Sequence, residues 1–391
     1  MAKKKKVTKP KAVPSSLFDK QAELIKKEFG DQVLESLEDL KVKPVLRTSS
    51  GSLAIDYLLS PKLAGMRNGR LLQLWGAPSC GKTTLALGFA ANVTAAKKRV
   101  VFVDAERTLD VKVAQAAGVD TEYFTVLRKR TEDAVNILYR LLQTGEVGAV
   151  IIDSISAIKP SVIEKKEKDL DITRKTVGYH ANFIARWIDE IVDLCAEQDV
   201  LLIAINQMRN NLGAYMGGTK PASGGYSYEH AVAASVRMSG HVKSSSSRIL
   251  DSEGRVVGQT VKCICDKSKI DVPQKEVHIP LYLGYGVNPF NELIDLGTGV
   301  AGVIINRGAF YYLADDPDNY IAQGSADLVN KLYQDNDLFK KVRQQVIDAL
   351  GLKYPEDQPF VNPFLNEDLT PKHVEYNEVP DEEVTDESAV G

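Results

Sequence analysis

Four short, mostly apolar runs punctuate the chain between residues 71 and 205, at 71–75, 100–103, 149–152 and 200–205. Runs this short and mostly aliphatic predict strands covered on both faces, as in a parallel sheet. Between them apolar residues recur at helical spacing over 84–96, 131–143 and 174–198. In the last of these Val177, Ala181, Ile184, Ile188, Ile191 and Cys195 share one face. Strand and helix in alternation predict an α/β sheet. Upstream, Phe18, Ala22, Ile25 and Phe29 predict a detached amphipathic helix at 17–29, set apart by a stretch at 35–47 that contains Pro44. Its apolar stripe must be buried against its own core or a neighbouring subunit. Beyond residue 225 the pattern turns to strands at 233–238, 261–266 and 276–279, with a hairpin-like excursion at 244–258. An α-rich region, 289–352, follows. From Tyr354 onward repeated prolines and acidic residues predict disorder.

These shifts divide the chain into a basic disordered arm (1–16), the helix and its linker (17–47), the sheet core (48–288), a small C-terminal α+β domain (289–352) and an acidic disordered tail (353–391). With 391 residues, 44% of them hydrophobic and 26% charged, the chain has room for one large or two to three smaller domains. The net charge of −3 does not announce a nucleic-acid binder, but the average hides an asymmetry. Lys3, Lys4, Lys5, Lys6, Lys9 and Lys11 crowd one end, and carboxylates crowd 367–387. The lysine run fits attraction to nucleic acid and fits simple solubility equally well. No apolar run approaches the ~20 residues that span a bilayer, and no apolar segment follows the basic start as a secretory signal requires. A cytoplasmic protein without a membrane span is expected. Four cysteines in a chain of this length make no disulfide framework. Cys263 and Cys265 alternate along one strand without a second Cys/His pair, which favours core packing over zinc.

Candidate chemistry begins at the first strand end. Gly76, Ala77, Pro78, Ser79, Cys80, Gly81, Lys82 and Thr83 fit the phosphate-loop pattern G-x-x-x-x-G-K-[ST], between a predicted strand and a predicted helix. The glycines let the backbone curl so that its N–H groups face a phosphate, and the helix adds its N-terminal dipole. Lys82 reaches β- and γ-phosphates, and the Thr83 hydroxyl can ligate Mg²⁺. Polar residues stand at the carboxyl ends of the other strands, where ligands of such sheets bind. Asp153 after four apolar residues suits a Mg²⁺ carboxylate. Glu106 is a candidate base for the attacking water, and Gln207 a candidate γ-phosphate sensor. Two long polar segments, 161–173 and 209–225, resist assignment to helix or strand. Loops of that length inside a compact domain are usually functional or disordered. The second follows Gln207 almost directly, the sequence form of a nucleotide switch.

Together the stretches TSSGSLAIDYLL (48–59), GAPSCGKTT (76–84), VFVDAERTLD (101–110), AVIIDSISAI (149–158), LLIAINQMR (201–209), SGGYSYEHAVAASVR (223–237), KSKI (267–270) and GYGVNPFNELIDLG (284–297) resemble the bacterial RecA recombinase family over about 17–350. The resemblance implies a RecA-type phosphate-loop ATPase core with a mostly parallel twisted sheet, an N-terminal polymerisation helix and a small α+β C-terminal domain. It implies a DNA-dependent ATPase, using ATP and Mg²⁺, that forms a helical homo-oligomeric filament on single-stranded DNA and exchanges strands with duplex DNA. Glu106 falls on the family's catalytic glutamate and Asp153 on its second metal-site carboxylate. Gln207 falls on the glutamine that links ATP to DNA, and Thr84 and Asp110 join the loop in the ATP site. Lys267 and Lys269 fall on lysines that reach ATP on the neighbouring subunit. The segments 161–173 and 209–225 fall on the DNA loops, with Arg209, Gly213, Gly217, Gly218, Lys220, Gly224 and Gly225 as DNA-contacting positions. The chain departs from the family where Tyr226 follows Gly225 in place of Asn, and where Glu229-His230 stand in place of a Lys-Phe pair. Two other readings stand beside it: a RecA-fold hexameric motor or helicase, which shares the phosphate loop, Glu and Asp, and a non-hydrolysing ATP-binding filament or mediator protein.

Overall fold

The computed structural model describes residues 16–34, 45–158, 177–210, 219–221, 225–240, 247–251, 253–272, 276–356 and 358–373. It separates into two compact units, Met1–Val45 and Leu46–Gly391. In the first, the helix Leu17–Phe29 forms over the predicted residues. Ser16 and Asp19 close a capping box: Ser16 Oγ accepts from Asp19 N at 3.1 Å, and Asp19 Oδ2 accepts from Ser16 N at 2.7 Å. Lys26 and Lys27 complement the dipole in the last turn. None of the helix is buried, and Phe18 and Phe29 are 75% and 65% exposed.

The second unit is organised by one large sheet. A small antiparallel pair, β1 (Arg47–Thr48) and β2 (Met66–Arg67), precedes it. The parallel strands are β3 (Leu71–Gly76), β4 (Arg99–Asp104), β5 (Phe124–Leu127), β6 (Val147–Asp153), β7 (Leu201–Asn210) and, after the short β8 (Thr219–Pro221), β9 (Val232–Ser239). The antiparallel extension comprises β10 (Arg248–Leu250), β11 (Val256–Ser268), β12 (Glu276–Tyr282) and β13 (Gly286–Val287). The order is β13-β12-β11-β9-β3-β7-β6-β4-β5, parallel from β9 to β5. Alternate residues of the parallel strands feed two cores, as the strand period of two requires. Leu72, Leu74, Val100, Phe102, Ile151 and Ile203 join the core that includes the helix Lys82–Ala95. Val101, Val103, Val150, Ile152, Leu202 and Ala204 join the one that includes Glu132–Leu142 and Val177–Glu197. Cys263 and Cys265 share a face of β11 and are both buried in the first core. No helix among the described residues is long and apolar enough to cross a membrane.

Several elements escaped the pattern reading. The helix Leu53–Leu59 is buried on every side, so no polar face marks its period. Edge strand β5 is only partly buried and has no apolar run. The expected α-rich region carries the helices Pro289–Thr298, Ser325–Gln334 and Asn336–Leu350. It also carries a three-stranded antiparallel sheet, β14 (Ile304–Arg307), β15 (Phe310–Leu313) and β16 (Asp316–Gln323). The excursion at 244–258 does form a hairpin, β10 on β11.

The disordered tail expected from residue 353 is corrected. Residues up to 373 return to the core as a strap. Tyr354 Oη donates to Asp56 Oδ2 at 2.9 Å, and Asn362 Nδ2 donates to Gly51 O and Val287 O at 2.9 and 3.0 Å. Val361 and Asn92, on the helix after the phosphate loop, exchange two bonds of 2.7 and 3.2 Å. Phe364 and Leu365 are buried. Composition misled here because a few apolar residues and two asparagines satisfy the packing among prolines and acids. The remainder of the acidic segment, the basic arm to residue 15 and the segment 161–173 lie outside the described residues.

A buried carboxylate ties the C-terminal region to the start of the core. Glu292 accepts from Ser52 Oγ, from Leu53 N at 3.1 Å and from Ala54 N at 3.1 Å, capping the buried helix from another element. Removing it leaves those N–H groups without partners, so Glu292→Ala is expected to cost about 2–4 kcal/mol in chemical denaturation. Burial pushes the Glu292 carboxyl up to about 7, against the donors that favour its charge. The folded state therefore binds this proton more tightly than the unfolded chain. Its contribution is complete below the ordinary value of 4.5 and is lost as pH rises through about 7. Glu292→Gln should flatten that part of the stability-pH curve, read as melting temperature across the window.

Candidate nucleotide site

The phosphate loop leaves the carboxyl end of β3 and enters the helix Lys82–Ala95. Gly76 is required by space, against main chain, and Gly81 by its backbone angle. A Cβ at Gly76 would sit 2.1 Å from Met238 O, and one at Gly81, whose φ is +86°, would sit 2.0 Å from Leu281 Cδ2. Lys82 is buried, and its Nζ bends back over the loop to donate to Ala77 O at 2.6 Å and Gly76 O at 3.3 Å. Cys80 lies beneath it, its thiol pushed up by burial with Lys82 opposing the shift.

Asp153 ends β6 and meets the loop. Thr83 Oγ1 donates to Asp153 Oδ2 at 2.7 Å. Burial pushes the Asp153 carboxyl up to about 6, the Thr83 bond opposes this, and Glu106 adds repulsion. Main-chain bonds from Ala105 N and Glu106 N to Asp153 O, at 2.9 and 3.4 Å, fasten the end of β4 beside it. Glu106 Oε1 accepts from Gln207 Nε2 at 2.9 Å and from Ser154 Oγ. The sequence places Gln207 beyond a strand end at 205, but β7 runs on to Asn210, and Gln207 pairs with Gly76 across the parallel ladder. Four sequence-distant positions, Lys82 with Thr83, Asp153, Glu106 and Gln207, are thus gathered at the carboxyl edge of neighbouring strands.

Other expected residues lie differently. Asp110 is exposed and caps the helix Val111–Ala116, accepting from Lys112 N at 2.8 Å. Lys267 and Lys269, at the end of β11, donate to Glu229 O and His230 O at the end of the helix Gly225–Ala231. There a cation complements the carbonyls a helix end leaves unpaired. Burial, and then Lys269, pull the Lys267 amine down. The backbones of Arg209 and Lys220 face one another where β7 pairs antiparallel with β8, so the ends of the intervening segment are drawn together. Gly225 opens the next helix. Gly213, Gly217, Gly218 and Gly224 lie outside the described residues. The sequence reading missed Gln259, buried on β11, whose Nε2 donates to Ser79 O at 2.8 Å. Its signal was a polar residue at an inward position of an alternating strand. It also assigned no role to Ser154 and Ser156.

The donor set fits a magnesium nucleotide. Thr83 and Asp153 present hard oxygens close together, and Mg²⁺ takes one or two carboxylates and completes its shell with water and phosphate oxygens. A buried carboxyl pushed up in pKa gains from a cation beside it. The loop offers backbone N–H groups and a lysine to phosphates.

A parallel sheet with a glycine loop, its lysine and a strand-end carboxylate at the carboxyl edge defines a phosphate-loop nucleotide-binding protein of the α/β class. The profile of the RecA N-terminal domain matches residues 17–288. The chain is 28% identical to Protein RecA of Chloroherpeton thalassium, covering 85% of this chain and 89% of that one. It is 28% identical to Protein RecA of Ruegeria pomeroyi, at 90% and 96% coverage, and 30% identical to that of Azoarcus sp., at 84% and 92%. The chain belongs to the RecA family.

Proposed function

We propose that this protein is a DNA-dependent ATPase that assembles as a helical filament on single-stranded DNA and catalyses homologous pairing and strand exchange. Family membership supports recombination and repair as its setting. The reading rests chiefly on Gln207, which bonds Glu106 beside the phosphate loop and continues through β7 into the segment closed by β8. A group that senses the nucleotide and leads straight into a DNA loop couples the two ligands.

In this reading the loop N–H groups and Lys82 bind the ATP phosphates, and Thr83 and Asp153 hold Mg²⁺, which would neutralise phosphate charge. Glu106 orients the attacking water and takes its proton. Lys267 and Lys269 supply trans cations to a neighbour's site once they leave the helix end they now cap. The exposed apolar face of Leu17–Phe29 suits docking onto an adjacent subunit. The chemistry of the two DNA segments rests on the resemblance.

The test is a three-strand exchange reaction with ATP and Mg²⁺, alongside electron microscopy of the protein with single-stranded DNA. Helical filaments with turnover and joint-molecule products are expected. Closed rings would point instead to a motor, and filaments without turnover to a mediator.

A further inference from the structure

Glu106 is held by more than its own strand end. Its Oε1 accepts from Gln207 Nε2 at 2.9 Å and from the hydroxyl of Ser154, which is buried. Ser154 Oγ lies 2.7 Å from Ser156 Oγ. A serine has one proton to donate. Ser154 gives its own to Glu106, so the contact between the serines runs from Ser156 to Ser154. The three groups form a directed chain that ends on one carboxylate oxygen. Two donors fill the good acceptor positions of Oε1, which leaves Oε2 as the oxygen able to take a bond from water.

We propose that Ser154, backed by Ser156, is a positioning residue that fixes which oxygen of Glu106 receives the water proton. The inference rests on the reading of Glu106 as the base. A glutamate's terminal torsion is broad and nearly two-fold, so an unrestrained carboxylate spends only part of its time in the reactive orientation. The hydroxyl of Ser154 removes that freedom without touching phosphate or metal. Its removal should spare the surrounding backbone, because Ala105 N and Glu106 N bond to Asp153 O independently of it.

The experiment measures DNA-stimulated ATP hydrolysis by Ser154→Ala, Ser154→Thr, Ser156→Ala and Glu106→Gln, and by Ser154→Ala combined with Glu106→Gln. Ser154→Ala should lower kcat about tenfold, as a lost orienting contact does, while KM for ATP and the affinity for Mg·ADP stay within about twofold. Ser154→Thr, which keeps the hydroxyl, should restore most of the rate. The partly exposed Ser156→Ala should show a smaller loss of kcat in the same direction, and it guards against a folding defect at the buried site. In the Glu106→Gln background, Ser154→Ala should have no further effect. An unchanged kcat, or a loss carried by KM and Mg·ADP affinity instead, would overturn the positioning role while leaving Glu106 as the base. Wild-type turnover by Glu106→Gln would overturn the base itself, and the inference with it.

Discussion

Lys82→Ala is expected to abolish productive ATP binding. The amine is the only lysine nitrogen the loop places among its own carbonyls, 2.6 Å from Ala77 O and 3.3 Å from Gly76 O. In the proposed nucleotide complex those weak neutral acceptors would give way to phosphate oxygens, and charge-assisted bonds are worth about 1.5–3 kcal/mol each. Losing one or two of them weakens ATP binding on the order of a hundredfold or more. Isothermal titration with Mg·ATP reads this directly. The fold should tolerate the change, because the lysine's partners are loop carbonyls and no helix or strand bond depends on it. A melting temperature near wild type, with binding gone, is the expected pair of results. Near-normal affinity would mean that the loop N–H groups and helix dipole alone hold the phosphates.

Glu106→Gln is expected to separate binding from chemistry. Glutamine keeps an amide oxygen able to accept from Ser154 and Gln207, so the local geometry around β4 and β6 persists. It cannot take a proton from water. Loss of a general base lowers kcat by about 10²–10⁴, while the affinity for ATP stays within about threefold because Lys82, Thr83 and Asp153 are untouched. Single-turnover hydrolysis and ATP binding, measured on the same preparation, distinguish the two effects. The variant should also accumulate ATP-bound filaments on single-stranded DNA. Turnover at the wild-type rate would show that another group orients the water.

The residues gathered in the candidate nucleotide site were legible because their positions follow from short-range rules. Gly76, Gly81, Lys82 and Thr83 are bound into one turn by their spacing, and strand and helix flank it on both sides. Asp153 and Glu106 sit just past apolar runs, and a parallel sheet places all such ends on one edge. Gln207 was found for the same reason, although the strand that carries it is longer than its apolar run. Ser154 and Ser156 were not legible. A serine beside a strand end carries no signal until the backbone turns it toward Glu106. Gln259 was missed and Lys267 was placed without its partner, because Ser79 O and Glu229 O are main-chain atoms and any sequence offers them.

The sequence by itself determined the alternation of strands and helices, the phosphate loop, the strand-end carboxylates and the capped helix at Leu17–Phe29. Each depends on residues within a few positions of one another, so propensity, period and capping suffice to specify them. Tertiary structure alone decided the strand order β9-β3-β7-β6-β4-β5, which brings β7 beside β3 and so Gln207 beside Gly76. It also decided that Glu292 caps a helix 240 residues away at Ser52, and that the segment around Asn362 returns to Gly51. Those choices come from packing many weak contacts at once. A buried carboxylate or asparagine settles wherever the folded chain leaves unpaired N–H or C=O groups, and no local pattern announces where that will be.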